Sequence, residues 1–128
     1  MNKQGLARVS KALGDVAEDR ALRFLQGQGL VLVQRNYRVA YGPSVRAGEI
    51  DLVMRDRDGT LVFVEVRARA SRGQGGAAAS VTPAKQRHIV LAARHFLMRW
   101  PVLPPCRFDV VAVEGDDINW LPAAFDAS

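Results

Sequence analysis

The stretch that decides the fold reads Gly48-Glu49-Ile50-Asp51-Leu52-Val53-Met54-Arg55, then Asp56-Arg57-Asp58-Gly59-Thr60, then Leu61-Val62-Phe63-Val64-Glu65-Val66-Arg67-Ala68-Arg69. Two runs rich in β-branched and large apolar residues flank a segment containing Asp-Gly, a strong hairpin signal, so two adjacent antiparallel strands are expected. Side chains alternate faces along a strand. Glu49, Asp51, Val53 and Arg55 are therefore predicted on one face, with Ile50, Leu52 and Met54 on the other. In the second strand Leu61, Phe63, Glu65, Arg67 and Arg69 share a face. A loop of Arg57-Asp58-Gly59 with a left-handed glycine pairs Asp56 with Thr60 and, by continuation, Asp51 with Glu65 and Glu49 with Arg67. A tighter Asp58-Gly59 turn shifts the register by one residue and sends Asp51 and Glu65 to opposite faces.

In the first register two carboxylates face each other across a strand pair. They repel, and burial of unpaired charge is costly, so the arrangement calls for a cation. Mg²⁺ fits: it takes hard oxygen ligands, typically one or two carboxylates, with water and phosphate completing its shell. The competing reading is an ordinary ion-pair network in which Arg67, Arg69 and other arginines neutralise the acids.

Outward from the hairpin, Leu6, Val9, Leu13, Val16, Ala17, Ala21, Phe24 and Leu25 recur at spacings of three and four, marking an amphipathic helix from Leu6 to about Gln28, ended by Gly27 and Gly29. Glu18 sits at the edge of its apolar stripe, beside Gly14 in projection, with Arg20 and Arg23 near enough to pair with it. Leu30 to Val39 reads as a strand, followed by a loop at Tyr41-Gly42-Pro43-Ser44. Residues 70–81, rich in Gly and Ala, read as a loop. Thr82-Pro83 supplies an N-cap and a first-turn proline for a helix to about Arg99 with Ile89, Ala92, Ala93, Phe96 and Leu97 inward. Pro101, Pro104 and Pro105 stop it. Phe108 to Val113 is a clear strand, and Asn119 to Phe125 a weaker strand or a terminal apolar anchor. The order α-β-β-β-α-β predicts an α/β class domain spanning 1–128, a central mixed β-sheet flanked by helices.

At 128 residues and 48% hydrophobic content the chain supports one core. No apolar run approaches the ~20 residues of a membrane span, and the polar N-terminus lacks a secretory h-region, so a cytoplasmic protein with no membrane partner is expected. One cysteine, Cys106, rules out an internal disulfide. His88 and His95 lie two turns apart on one helix, too far to share a metal readily, and both read as surface residues. Trp100 and Trp120 read as core packing or a dimer contact. The 18 basic residues against 13 acidic ones leave a net charge of +5, which favours a polyanionic partner. All but three of the cations, Lys3, Lys11 and Lys85, are arginines.

Gly48-Glu49-Ile50-Asp51-Leu52, Val62 to Arg69, Lys85 and Arg107-Phe108-Asp109-Val110-Val111, with Gly14, Glu18 and Ala21 in the first helix and Arg35-Asn36 in the first strand, closely resemble the YraN-like family of bacterial predicted endonucleases. The resemblance spans nearly the whole chain. It implies a restriction-endonuclease-like core of the PD-(D/E)XK kind, similar to Holliday-junction resolvases, with Glu18, Asp51 and Glu65 as catalytic acids. Asp51, Glu65 and the Val66 carbonyl would hold Mg²⁺ or Mn²⁺. The superfamily pattern has lysine two positions after the glutamate, where this chain has Arg67, counted with the catalytic set. Arginine stays charged and donates hydrogen bonds but is a poor base. Arg69 and Lys85 would bind nucleic acid, Lys85 aided by its helix N-terminus. The resemblance thus implies a Mg²⁺-dependent endonuclease on DNA, branched or junction DNA included, with a homodimer as a further expectation. The alternative is a non-catalytic nucleic-acid-binding module on the same fold.

Overall fold

The backbone around Asp58-Gly59 chooses between the two registers. Asp56 N–H donates to Thr60 O at 2.9 Å and Gly59 N–H to Asp56 O at 3.0 Å, while Gly59 takes φ +88°, the left-handed conformation that the longer loop requires of its glycine. The two strands then pair as Arg55 with Leu61, Met54 with Val62, Val53 with Phe63 and Leu52 with Val64. This is the register whose continuation sets Asp51 against Glu65. The computed structural model describes residues 3–40, 46–69 and 81–127; the side chains of 3–12, 46–47 and 69 fall outside that description. The loop expected at Tyr41–Ser44, all but the last residue of the loop expected over 70–81, and the Arg69 side chain thus lie outside the described residues; Val81 itself is buried.

Seven described elements follow in the order α1 (Lys3–Gly27), β1 (Val31–Ala40), β2 (Arg46–Arg55), β3 (Leu61–Arg69), α2 (Pro83–Leu97), β4 (Cys106–Glu114) and β5 (Asp117–Phe125). The strands form one sheet in the order β1-β2-β3-β4-β5. Only β3 and β4 run parallel among these neighbours. A parallel pair needs a crossover, and α2 lies within it. The expected mixed α/β sheet is present, and the weak C-terminal segment is a full strand on β4 rather than a loose anchor.

Capping groups set the helix ends. Gly29, at φ +99°, closes α1 in a Schellman turn: Leu30 N–H reaches Leu25 O at 3.1 Å and Gly29 N–H reaches Gln26 O at 3.0 Å. Thr82 caps α2 by accepting Lys85 N–H on Oγ1 at 3.2 Å, with Pro83 in the first turn.

Each helix covers one face of the sheet. Ala17, Ala21 and Leu25 of α1 pack with Leu52, Met54, Val62, Val64, Val111 and Val113. The five residues of α2 expected inward, Ile89, Ala92, Ala93, Phe96 and Leu97, are all buried, against Ile50, Val53, Phe63, Phe108 and Val110. Phe63 stacks on Phe108 with ring centroids 5.5 Å apart, and Phe96 meets Phe63 edge-on at 6.0 Å. Such pairs add about 0.5–1.5 kcal/mol each beyond their burial and fix where α2 sits.

Two expectations need correction. Leu13 and Val16 are 62% and 55% exposed, so the predicted stripe of α1 does not all meet the sheet. Ile50 packs on the α2 side with Val53, whereas Leu52 and Met54 pack on the α1 side. Regular alternation, which put all three even-numbered residues together, therefore slips between Ile50 and Leu52. Across β1, the pairs Arg35–Leu52 and Tyr37–Ile50 bracket Asn36 opposite Asp51, and Asn36 has φ 55°. Both strands depart from regular geometry at the level of Asp51. Asparagine tolerates that left-handed backbone better than most residues.

Candidate active site

β2 and β3 set Asp51 and Glu65 side by side. Asp51 is partly buried; Glu65 is only 4% exposed within an otherwise apolar strand. Asp51 Oδ2 accepts the backbone N–H of Val66 at 2.8 Å, which locks the carboxyl against β3 beyond the last regular rung of the ladder. The two carboxyls are also hydrogen-bonded to each other. Burial first, and then the charge of Glu65, pushes Asp51 up to about 7, against the pull of the Val66 N–H and of Lys85. Glu65 is raised as well, by burial, while Lys85 and Arg67 hold it down. Both shifts disfavour ionising the two carboxyls together.

Two cations meet the same oxygen of Glu65 from different elements. Arg67 Nη1 lies 3.7 Å from Glu65 Oε1, and Lys85 Nζ, from the first turn of α2, lies 3.8 Å from it. Lys85 was expected as a phosphate ligand; the fold brings it to the acidic pair itself. Its place depends on Gly48. A Cβ there would stand 2.1 Å from His88 O, so only glycine lets α2 approach β2 this closely.

Glu18 stands on the other side of Asp51. It is raised by burial first and next by the Asp51 charge. Its partner is Arg35 of β1, whose Nε lies 3.4 Å from Glu18 Oε1 and whose Nη1 reaches Asp19 Oδ1 at 2.6 Å. Arg20, one of the helix arginines expected to pair with it, donates instead to Gly115 O.

Two clefts flank the pair. One of about 560 Å³ is lined by Gly14, Asp15, Glu18, Asn36, Arg38 and Glu49; another of about 350 Å³ by Arg38, Val39, Ala40, Gly48, Glu49, Lys85 and His88. Asp51 and Glu65 line neither, but their neighbours Glu18, Glu49 and Lys85 do. Among the described residues no three His, Cys, Asp or Glu side chains converge closely enough to hold a metal on their own. One or two carboxylates suffice for Mg²⁺, which keeps water or phosphate at its other positions, and a carboxyl pair that otherwise retains a proton near pH 7 matches that need.

Sequence reasoning left Glu49, Arg35 and Asn36 outside the site set. Glu49 carries a signal, since alternation puts it with Asp51; the other two owe their roles to non-local packing. Asp109 was also passed over. Fully buried on β4, it accepts from Arg107 Nε at 3.0 Å, Trp120 Nε1 at 2.9 Å and Ala123 N at 2.9 Å, and so ties β5 to β4. His88 and His95 are exposed, as expected, and Trp100 and Trp120 pack on the two apolar clusters.

Fold and site together define a small mixed α/β protein with an acidic pair set between two helices and met by one lysine and one arginine. The chain belongs to the family described as "Uncharacterised protein family UPF0102", whose model matches residues 17–113. A UPF0102 protein of Methylibium petroleiphilum is 70% identical over 120 residues, covering 94% of this chain and 98% of that one. One from Paracidovorax citrulli is 62% identical over 125 residues, covering 96% and 90%. The YraN-like resemblance is therefore upheld at the level of the family.

Proposed function

We propose that this chain is a Mg²⁺-dependent endonuclease with a restriction-endonuclease-like core, hydrolysing phosphodiester bonds in DNA, branched or junction DNA included. The observation that carries the reading is the Asp51–Glu65 pair, hydrogen-bonded within the sheet and faced by Lys85 and Arg67. Asp51, Glu65 and the Val66 carbonyl would hold the ion, and Glu18 would stand behind Asp51. A bound Mg²⁺, or Mn²⁺ in its place, would polarise the scissile phosphate and lower the pKa of a water. Val66 N–H keeps the Asp51 carboxyl oriented, and Lys85 and Arg67 offset the added negative charge of a phosphate. Arg69 at the end of β3 extends the same basic edge in sequence.

The test is titration of Mg²⁺ and Mn²⁺ into the wild-type chain and Asp51→Ala. Saturable binding by the wild type and its loss in the variant are expected; equal, negligible binding in both would sink the metal site. Cleavage of junction, flap and single-stranded substrates then tests turnover. Arg67, standing at the lysine position, favours a second reading, a non-catalytic nucleic-acid-binding module. A gain of cleavage on Arg67→Lys with none in the wild type would select it.

A further inference from the structure

We propose that the outer face of α2 is the track on which one arm of a DNA duplex lies, held by Arg87 and Arg94 through its phosphates. The proposal rests on the nuclease reading for its choice of DNA and goes beyond it by naming the substrate's path.

The argument begins with charge. From Val66 to Arg107 the sequence contains no Asp or Glu, and within it α2 carries Lys85, Arg87 and Arg94. The apolar face of α2 is buried against the sheet, so what it turns outward is cationic: Arg87, His88 and Arg94 are exposed. They line a groove of about 510 Å³ with Gln86 and Leu91, walled in part by Asp126 of the C-terminal segment. His88 also lines the cleft that holds Lys85 and Glu49, so the groove adjoins the cleft beside the acidic pair.

The direction of α2 adds a length scale. Its N-terminal turn delivers Lys85 to Glu65, and the helix then leads away from the acidic pair. Lys85 and Arg94 are nine residues apart, about 13.5 Å at 1.5 Å per residue. Phosphates recur about every 3.4 Å of axis on each strand, so the track spans roughly four base-pair steps from the site. A single strand is the poorer occupant. Sequence-independent single-strand binding relies on exposed aromatic rings for stacking, and among the described residues no Phe, Tyr or Trp lines this groove, which has only the smaller ring of His88. A lipid surface is poorer too, because Ile89, Phe96 and Leu97 of α2 are buried and only Leu91 and part of Val90 remain at the groove.

The experiment measures binding of the full-length chain to a fluorescent DNA duplex of about two helical turns in chelating buffer, between about 50 and 200 mM salt. Arg87→Ala/Arg94→Ala is compared with wild type and Arg23→Ala. The double variant is expected to bind about tenfold or more weakly at the low-salt end, with the slope of log K against log salt smaller by about 1.8, two phosphate contacts at 0.9 each. Arg23→Ala, which removes one exposed cation from α1 on the opposite face of the sheet, should keep the wild-type slope, and Asp126→Asn should bind more tightly. An unchanged slope in the double variant overturns the proposal, as does loss of binding to anionic vesicles without loss of DNA binding. Cleavage with no slope difference removes this inference alone; a slope difference with no cleavage removes the catalytic reading alone.

Discussion

Lys85 and Arg67 meet one oxygen of Glu65, yet they are not interchangeable. Lys85 is a compact charge on a flexible stem and acts on both carboxyls, holding down Asp51 as well as Glu65. Arg67 presents a planar fork suited to a phosphate and is 38% exposed. On the proposed nuclease reading, Lys85→Ala is therefore expected to lower kcat by about a hundredfold, the size of a lost electrostatic stabiliser. Arg67→Ala should raise KM more than it lowers kcat. Steady-state cleavage kinetics separate the two, and equal effects on kcat would contradict the division of labour. Asp51 and Glu65 were legible in the sequence because a hairpin is local: the position of Gly59 sets which carboxyl faces which. Lys85 was legible only as a family match, since its distance to Glu65 is set by packing between elements some twenty residues apart.

Among elements, the approach of α2 to β2 decides whether that lysine arrives. Gly48→Ala would drive a methyl group into His88 O, an atom of helix backbone that cannot swing aside. We expect a destabilisation of about 1–3 kcal/mol from overpacking. The fall in activity should be larger than the stability loss explains, because Lys85 moves with the helix; denaturant melts and cleavage measured at a temperature where the variant is folded check this. The other edge of the sheet depends on Asp109. Asp109→Ala strands the Trp120 and Ala123 N–H groups and takes one of two partners from Arg107, which keeps Asp56 at 2.9 Å. A loss of about 3–5 kcal/mol is expected, with Asp109→Asn milder. An Asp109→Ala variant that melts with the wild type would refute that role. The misread elements share a cause. Leu13 and Val16 have helical spacing but no sheet beneath them, β5 hides behind Pro122 and a mixed burial pattern, and the face of Ile50 follows from an irregularity opposite Asn36 that alternation does not encode. Local periodicity found the helices and the hairpin; it could not report where two strands leave regular geometry together.

For the molecule as a whole, the site places a destabilising charge in the middle of the sheet, and its sign can be followed with pH. The Asp51 carboxyl sits at about 7, well above the ordinary aspartate range that it regains on unfolding. Between those values the folded chain binds more protons than the unfolded one, so stability falls as pH rises through the window and levels off above it. The full span corresponds to at most about 4 kcal/mol, less whatever solvent screening reaches the partly exposed carboxyl. In chelating buffer the wild-type melting temperature should therefore drop from about pH 4 towards pH 8, relative to Asp51→Asn, which removes the ionisation and keeps the shape. The variant should be the more stable protein at pH 8 and nearly matched at pH 4. Saturating Mg²⁺ at pH 8 should close the gap from the wild-type side, because an ion that binds only the folded chain stabilises it by mass action, and Asp51→Asn should gain little from the same addition. Parallel pH–stability curves for the two proteins would show that Asp51 does not carry this charge, and a gap that Mg²⁺ leaves open would show that the carboxyl pair is not where the ion binds.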